Sequence, residues 1–249
     1  MAVDRDTTIT WYGHACTEIR TPGGKTILVD PWFGNPKSPK AVESVEACDV
    51  MLLTHGHFDH IGFTGEAPAD AIRIAERTKP TWPAVHELSL WLGSQLKAAK
   101  DGVIGMNQGG TVEAAGLRIS MVPAIHSAGD LLGSPTPIYL GSPVGFVIEL
   151  ENGFRVYHAG DTVAYGDMRI IRELYEPELA ILPIGGHFTM GPREAAMAVE
   201  WLGVKHVIPI HYGTFPILAG TPDQLRTEIE KRGVKGVEVY APEPGETVT

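Results

Sequence analysis

The chain of 249 residues contains only two cysteines, Cys16 and Cys48, and neither belongs to a C-x-x-C pair. A disulfide framework is therefore excluded, because two isolated thiols in a large domain are more often small buried hydrophobic residues than ligands or a bridge. A chain of this length buries enough surface to form a core without cross-links. The low cysteine content indicates a reducing compartment.

Long apolar runs and an excess of positive charge are also missing. No run approaches the ~20 apolar residues that cross a bilayer, and the N-terminus has no basic or apolar signal segment. The chain carries 20 Lys and Arg against 30 Asp and Glu, a formal net charge of -10, without a basic cluster. We therefore expect a cytoplasmic protein with no membrane span, and nucleic-acid binding is disfavoured.

The hydrophobic pattern predicts alternating strands and helices in a single domain over residues 1–249, since no linker, repeat or low-complexity tract interrupts it. Strands are predicted at 8–12, 16–20, 25–29, 49–53, 117–122, 145–150, 154–157, 179–183 and 206–209. Helices are predicted at 69–77, 86–100, 167–175, 192–201 and 222–232, the last two beginning with proline after Gly191 and Thr221. This order predicts an α/β fold, a four-layer αββα sandwich of two facing mixed sheets with outer helices.

Three of the ten histidines fall within one segment of six residues, HGHFDH at 55–60, directly after the apolar strand predicted at 49–53. A loop at the end of a buried strand can hold such side chains at ligand distance. Imidazole nitrogens and carboxylate oxygens are the usual donors to zinc and also suit manganese or iron. The segment therefore predicts a metal site rather than a solvated polar loop.

This segment resembles the signature of the metallo-beta-lactamase superfamily, in which a histidine, an acidic residue after glycine and a last histidine follow later in the chain. His126 in PAIHS, Asp161 in HAGDT and His211 in IPIHYG occur in that order. Each residue alone is compatible with an ordinary strand end or turn. Their joint occurrence in the family's order favours a ligand set.

The resemblance implies two divalent metal ions per chain, with zinc expected and manganese or iron as alternatives. His55, His57 and His126 would hold the first ion, Asp59, His60 and His211 the second, and Asp161 would bridge both. In such sites the two ions share a water whose pKa falls to near 7, and the resulting hydroxide is the nucleophile. Asp59 would also orient this nucleophile.

Four further segments, at 11–16, 29–34, 182–192 and 208–216, resemble the branch that is similar to ascorbate-6-phosphate lactonase. The expected function is a dinuclear hydrolase of a small ester, lactone or phosphate-bearing substrate, and relatives of this branch assemble into homo-oligomers. A more distant similarity to N-acyl-phosphatidylethanolamine phospholipase D leaves a phosphodiesterase as the alternative. A di-iron redox protein and a non-catalytic metal-binding protein of the same fold are further alternatives.

Four other residues are candidates near such a site. His187, in a glycine-rich turn, is a candidate catalytic residue that would stabilise an oxyanion or protonate the leaving oxygen. Asp30 would accept a hydrogen bond from a metal-bound histidine, and His14 and His158 would reach or support the pocket. For each of them a purely structural role stays open. Loop 127–143 is long enough for a lid or a binding loop, or is a surface excursion.

Overall fold

The computed structural model describes residues 6–65 and 68–249, which form fourteen strands and six α-helices. The strands are β1 (Thr8–Trp11), β2 (Thr17–Arg20), β3 (Thr26–Val29), β4 (Val50–Leu52), β5 (Trp82–Val85), β6 (Val103–Met106), β7 (Thr111–Ala114), β8 (Leu117–Pro123), β9 (Val144–Glu149), β10 (Arg155–His158), β11 (Leu179–Pro183), β12 (His206–Ile210), β13 (Glu238–Val239) and β14 (Thr247–Val248). The helices are α1 (Phe58–Ile61), α2 (Asp70–Thr78), α3 (His86–Gln95), α4 (Met168–Tyr175), α5 (Pro192–Leu202) and α6 (Pro222–Lys231). None of these helices is long and apolar enough to cross a membrane.

The first sheet has the strand order β14-β1-β2-β3-β4 and is mixed. Strands β1 to β3 form antiparallel hairpins, whereas β4 runs parallel to β3. A bridge between Val50 and Thr81 connects β4 to the start of the parallel pair β5-β6. The strand that precedes the histidine motif, β4, is therefore the last strand of this sheet, and the segment at Thr81 lies along its other side.

The second sheet has the order β13-β12-β11-β10-β9-β8-β7 and is also mixed. Its antiparallel half is β7 to β10, and β10 to β13 are parallel. Strand β11 is buried along its whole length, as expected of a central parallel strand covered on both faces.

The hydrophobic core lies between the two sheets, and further buried apolar residues lie between each sheet and its outer helices. Along β11, Leu179 and Ile181 join the core that also contains Ile27 of the first sheet, while Ala180 and Leu182 pack with residues of α4, α5 and α6. This alternation is the two-residue period of a strand with both faces buried. Because α2 and α3 also pack on the core of the first sheet, the predicted αββα architecture is confirmed.

Most predicted elements are present, and the differences have local causes. The helix predicted at 86–100 ends at Gln95, where the carboxylate of Glu76 in α2 accepts the backbone N–H groups of Lys97 and Ala98. Strands β5, β6 and β7 were not predicted; β5 contains Pro83, which weakens a strand pattern.

Candidate metal centre

The residues of the histidine motif and the three later candidates meet at one edge of the two sheets. His55 and His57 follow β4, and the next turn of chain is the short helix α1, which carries Asp59 and His60. Each later candidate also follows a strand: His126 comes after β8, Asp161 after β10 and His211 directly after β12. Rigid strands of two different sheets therefore position all seven side chains.

Their donor atoms form three overlapping groups, each with all atoms within 4.8 Å of one another. The first group is His55, His57 and His126. The second comprises Asp59, His60 and His211 together with His14, and a third joins His55, His60 and Asp161. The first two groups match the two predicted ligand sets, and the third connects them.

Asp161 lies where these groups meet. Its Oδ2 is 3.1 Å from Nε2 of His211, 3.3 Å from Nε2 of His60 and 3.5 Å from Nε2 of His126. Among the described residues, Asp161 Oδ1 and the Nε2 atoms of His60 and His211 have no hydrogen-bond partner although they are buried. A buried polar atom without a partner lowers the stability of the fold. Several such nitrogen and oxygen atoms that converge on one point therefore fit a bound cation.

Thr54 and Asp30 set which imidazole nitrogen points into this cluster. The Thr54 hydroxyl donates to Asp30 Oδ2 at 2.7 Å, so it can accept from Nδ1–H of His55 at 3.0 Å. His60 donates its Nδ1–H to the same Asp30 oxygen at 2.8 Å. With Nδ1 protonated, Nε2 of His55 presents a lone pair toward the cluster, as a metal ligand requires. Burial alone would lower the pKa of His60, but the carboxylates of Asp161 and Asp30 raise it well above its ordinary value, so a bound cation would replace the proton on its Nε2.

Burial and neighbouring charges keep most of these groups in the form that binds a cation. Burial lowers the pKa of His55 well below its ordinary value, and the neighbouring His60 adds to the effect. Burial likewise lowers the pKa of His57 and of His126. Burial alone would raise the pKa of Asp161, but the adjacent His211 and His60 hold it well below its usual range.

His14 makes a direct contact with the cluster. Its Nε2 lies 2.9 Å from Oδ2 of Asp59, and its ring centre lies 4.0 Å from that of His211. The His14 carbonyl accepts the backbone N–H of His211 and the indole N–H of Trp11, each at 2.8 Å. Burial lowers the pKa of His14 to about 4, with His211 adding to the shift. The turn after β1 is thereby tied to the end of β12.

Several site candidates have a left-handed backbone. The φ angles are 51° at His14, 48° at Asp30, 59° at His187 and 56° at His211. Residues other than glycine rarely adopt this region, and such strain is concentrated at functional sites. Gly160 also has a left-handed backbone, and a Cβ atom at this position would lie 2.6 Å from Cβ of Thr54. Only glycine therefore allows the Asp161 turn to approach Thr54 this closely.

His158 supports the Asp161 turn from within the core. Its Nδ1 accepts the backbone N–H of Gly160 at 3.2 Å, and its Nε2 lies 3.4 Å from the Thr17 hydroxyl. Burial lowers the pKa of His158 to about 4, so the ring is neutral at pH 7. These contacts correspond to the structural role considered for this residue.

His187 lies outside the group of converging donors. It is exposed, and its ring centre lies 4.4 Å from the ring centre of Phe188, which lines the cleft at the histidine cluster. A catalytic role for His187 stays a prediction.

Loop 127–143 contributes two side chains that contact the motif. The Ser127 hydroxyl lies 3.3 Å from Nε2 of His57. The Asp130 carboxylate accepts the backbone N–H of Phe58, the first residue of α1, at 2.8 Å, and also that of Leu131. Sequence reasoning missed Thr54, Ser127 and Asp130, although an oxygen side chain immediately before the motif was a signal that could have indicated Thr54.

Comparisons with known proteins agree with this geometry. The sequence profile of the beta-lactamase superfamily domain matches residues 25–212. A UPF0173 metal-dependent hydrolase of Myxococcus xanthus is 47% identical over 242 residues, covering 97% of this chain and 82% of that protein. A UPF0173 metal-dependent hydrolase of Roseiflexus sp. is 45% identical over 251 residues, covering 99% of each protein.

A solved structure supports the same relationship. Igni18, a metallo hydrolase from the hyperthermophilic archaeon Ignicoccus hospitalis, is 35% identical, with a TM-score of 0.81 and coverage of 97% of both chains. With the profile match spanning the histidine motif, Asp161 and His211, the chain belongs to the metallo-beta-lactamase superfamily as a metal-dependent hydrolase.

Proposed function

We propose that this protein is a dinuclear hydrolase that cleaves a small ester, lactone or phosphate-bearing substrate. The observation that carries the proposal is the position of Asp161, whose Oδ2 lies 3.1 to 3.5 Å from the Nε2 atoms of three histidines on three separate segments. A carboxylate that lies between two sets of histidines is the arrangement expected of a ligand shared by two ions.

In this proposal each ligand group holds one ion. His55, His57 and His126 hold the first, and Asp59, His60 and His211 hold the second, with Asp161 contacting both. Two divalent ions, with zinc expected and manganese or iron as alternatives, would activate a water molecule and polarise the bond to be cleaved.

The chain's own residues prepare the site for that chemistry. Thr54 and Asp30 hold Nδ1 of His55 and of His60, so both rings already direct Nε2 toward the cluster. His14 holds one oxygen of Asp59, which lines the cleft and is in place to orient an attacking water molecule. His187 is the candidate for protonating the leaving group, and its ring contacts Phe188, which lines the cleft.

A cleft of about 340 Å³ opens onto the cluster and has a volume that suits a small molecule. Its lining includes His57, Asp59, His126, Asp161 and His211. A wider surface groove of about 800 Å³ lies between α4 and α5, but no histidine lines it. The substrate is therefore expected in the smaller cleft.

The test combines elemental analysis with a hydrolysis panel of esters, lactones, thioesters and phosphodiesters. We expect two metal equivalents per wild-type chain, and Asp161→Asn should lower metal content and reduce hydrolysis by ~100-fold or more, because the variant loses a charged ligand between both ions. Asp167→Asn, an exposed position just before α4, is the matched control. Full metal content and activity in Asp161→Asn would overturn the ligand assignment.

His187→Ala tests the candidate proton donor separately. Because His187 lies outside the donor groups, the variant should keep its metal content. Its hydrolysis rate should fall by ~100-fold, within the usual range for a general acid or base. An unchanged rate would remove His187 from the catalytic residues.

A further inference from the structure

The cleft at the histidine cluster opens into a neighbouring cleft. A second cleft of about 560 Å³ adjoins it, and Phe58 and Asp130 line both. Apolar side chains make up most of the second cleft's wall; the large ones are Trp32, Phe58, Phe63, Leu131, Leu132 and Phe215. A molecule bound at the cluster can therefore extend directly into an apolar chamber.

The apolar wall of the second cleft is connected to the histidine cluster by ring contacts with His14. The ring centre of Trp32 lies 5.2 Å from that of His14, 5.7 Å from Phe58 and 6.2 Å from Phe215. Because His14 also contacts Asp59, the apolar wall begins one side chain away from a candidate ligand. Packing of this kind keeps the wall in one place relative to the cluster.

The charges that line the second cleft argue against an anionic substrate group there. Among the described residues that line either cleft, none is a lysine or an arginine. The carboxylate that faces both clefts, Asp130, already accepts the backbone N–H groups of Phe58 and Leu131. A phosphate is usually recognised by arginine, lysine or free backbone N–H groups, and the lining offers no such cation.

Exposed hydrophobic side chains are also concentrated here. Phe58, Leu131 and Phe188 are 41%, 49% and 57% exposed, and all three line one or both clefts. Exposed apolar groups gathered around a concave site commonly mark the surface that a ligand covers.

We propose that the second cleft is the subsite for an uncharged apolar group of the substrate, an aryl or medium-length alkyl group. This rests on the proposed function and narrows it. The preferred substrates are then apolar esters or lactones, and phosphorylated ones are disfavoured.

The experiment measures binding, so that it does not depend on turnover. Straight-chain carboxylates from acetate to octanoate are the acid products of the matching esters, and they are titrated calorimetrically into the zinc-loaded protein. We expect affinity to rise by up to about fourfold per methylene, the fold-change equivalent to ~0.8 kcal/mol, until the cleft is filled. Suberate, which carries a second carboxylate where octanoate has its terminal methyl group, should bind more weakly than octanoate.

Leu132→Asn is the informative variant. Leu132 has a φ of 44°, a backbone conformation that asparagine tolerates better than leucine, so the change adds polarity without a backbone penalty. The Leu132→Asn variant should keep its zinc content and bind octanoate about tenfold more weakly. The increase in affinity with chain length should therefore be smaller than in the wild type. Leu90→Asn, at a position on α3 that is 63% exposed and outside both clefts, is the control and should keep the full dependence.

The outcomes separate the two proposals. A flat chain-length dependence, or binding of suberate as tight as that of octanoate, would overturn the apolar subsite even if the protein hydrolyses a phosphorylated lactone. A steep dependence with no hydrolysis of any substrate would uphold the subsite and contradict the proposed function. Sedimentation that shows a dimer dissociated by octanoate would assign the apolar surface to a second copy of the chain instead, and would overturn the subsite.

Discussion

Thr54 links two functional side chains with a single hydroxyl group and packs against the turn that carries Asp161. It donates to Asp30, accepts from His55 and lies against the glycine that precedes Asp161. Because hydrogen bonds of this kind fix ring orientation and raise ligand basicity, the residue should matter for metal affinity without touching a metal.

Thr54→Val tests this role with a side chain of nearly the same shape. The variant leaves Nδ1–H of His55 without its acceptor, so metal affinity should fall by ~10- to 100-fold. Chelator competition measures the affinity directly. Thr54→Ser, which keeps the hydroxyl, should restore most of it, and wild-type affinity in Thr54→Val would show that the hydroxyl is not needed.

His14→Asn tests the contact between the first turn and the second ligand group. Asparagine tolerates the left-handed backbone at this position, but its side chain is too short to replace the imidazole at Asp59. We expect the group containing Asp59 and His211 to bind its ion more weakly, so that metal content falls toward one equivalent in elemental analysis. His206→Asn, at the start of β12 and outside the donor groups, should keep two equivalents.

The seven ligand candidates could be selected from the sequence because histidines and aspartates at strand ends resemble a family's order, and the structure brings their side chains together. Their role as ligands stays a prediction. Thr54, Ser127 and Asp130 could not be selected, because such side chains are common in loops and their role depends on contacts across the fold. His14 was identified only as a candidate, since 45 positions separate it from Asp59, its contact in the cluster.

At the scale of whole elements, local chemistry explains where α6 begins. Thr221 accepts the backbone N–H of Gln224, and the Gln224 side chain accepts the N–H of Thr221, which together form a capping box ahead of Pro222. The start of α6 was therefore predictable. The end of α3 was not, because it depends on Glu76 of another helix.

Thr221→Ala should lower the free energy of unfolding by ~1 kcal/mol, because it removes the cap of α6. For a chain of this size that corresponds to a fall of ~2–4 °C in the thermal midpoint. Differential scanning calorimetry gives the shift, and metal content should not change because α6 lies away from the cluster. Thr227→Ala, in the middle of the same helix, should change the midpoint less, and equal shifts would argue against the capping explanation.

At the scale of the whole molecule, the donors come from both sheets. His55 and His60 follow a strand of the first sheet, whereas His126, Asp161 and His211 follow strands of the second. Ions bound between them would stabilise the folded state alone, since the unfolded chain does not bring these residues together. The four-layer order was predictable from the strand and helix pattern, but the closeness of the two sheet edges was not, because it depends on tertiary packing.

Removal of metal should therefore lower the thermal midpoint. With free zinc at 100 times its dissociation constant, binding contributes ~2.7 kcal/mol, or ~5–10 °C for a chain of this size. Calorimetry of chelator-treated protein with and without added zinc measures the difference. Asp161→Asn should show a much smaller zinc effect, and an equally large one would place the stabilising ion elsewhere.

The contacts of loop 127–143 suggest how the substrate preference of this fold can be changed. Its contact with α1 runs through the Asp130 carboxylate, and Leu131 and Leu132 form part of the apolar wall, while none of the seven ligand candidates lies within it. Exchanging residues 131–139 for those of a relative would reshape the chamber while leaving every donor in place. In the proposed arrangement, part of the wall that selects the substrate thus lies in a stretch of chain without donors, which makes this loop the natural target for directed evolution.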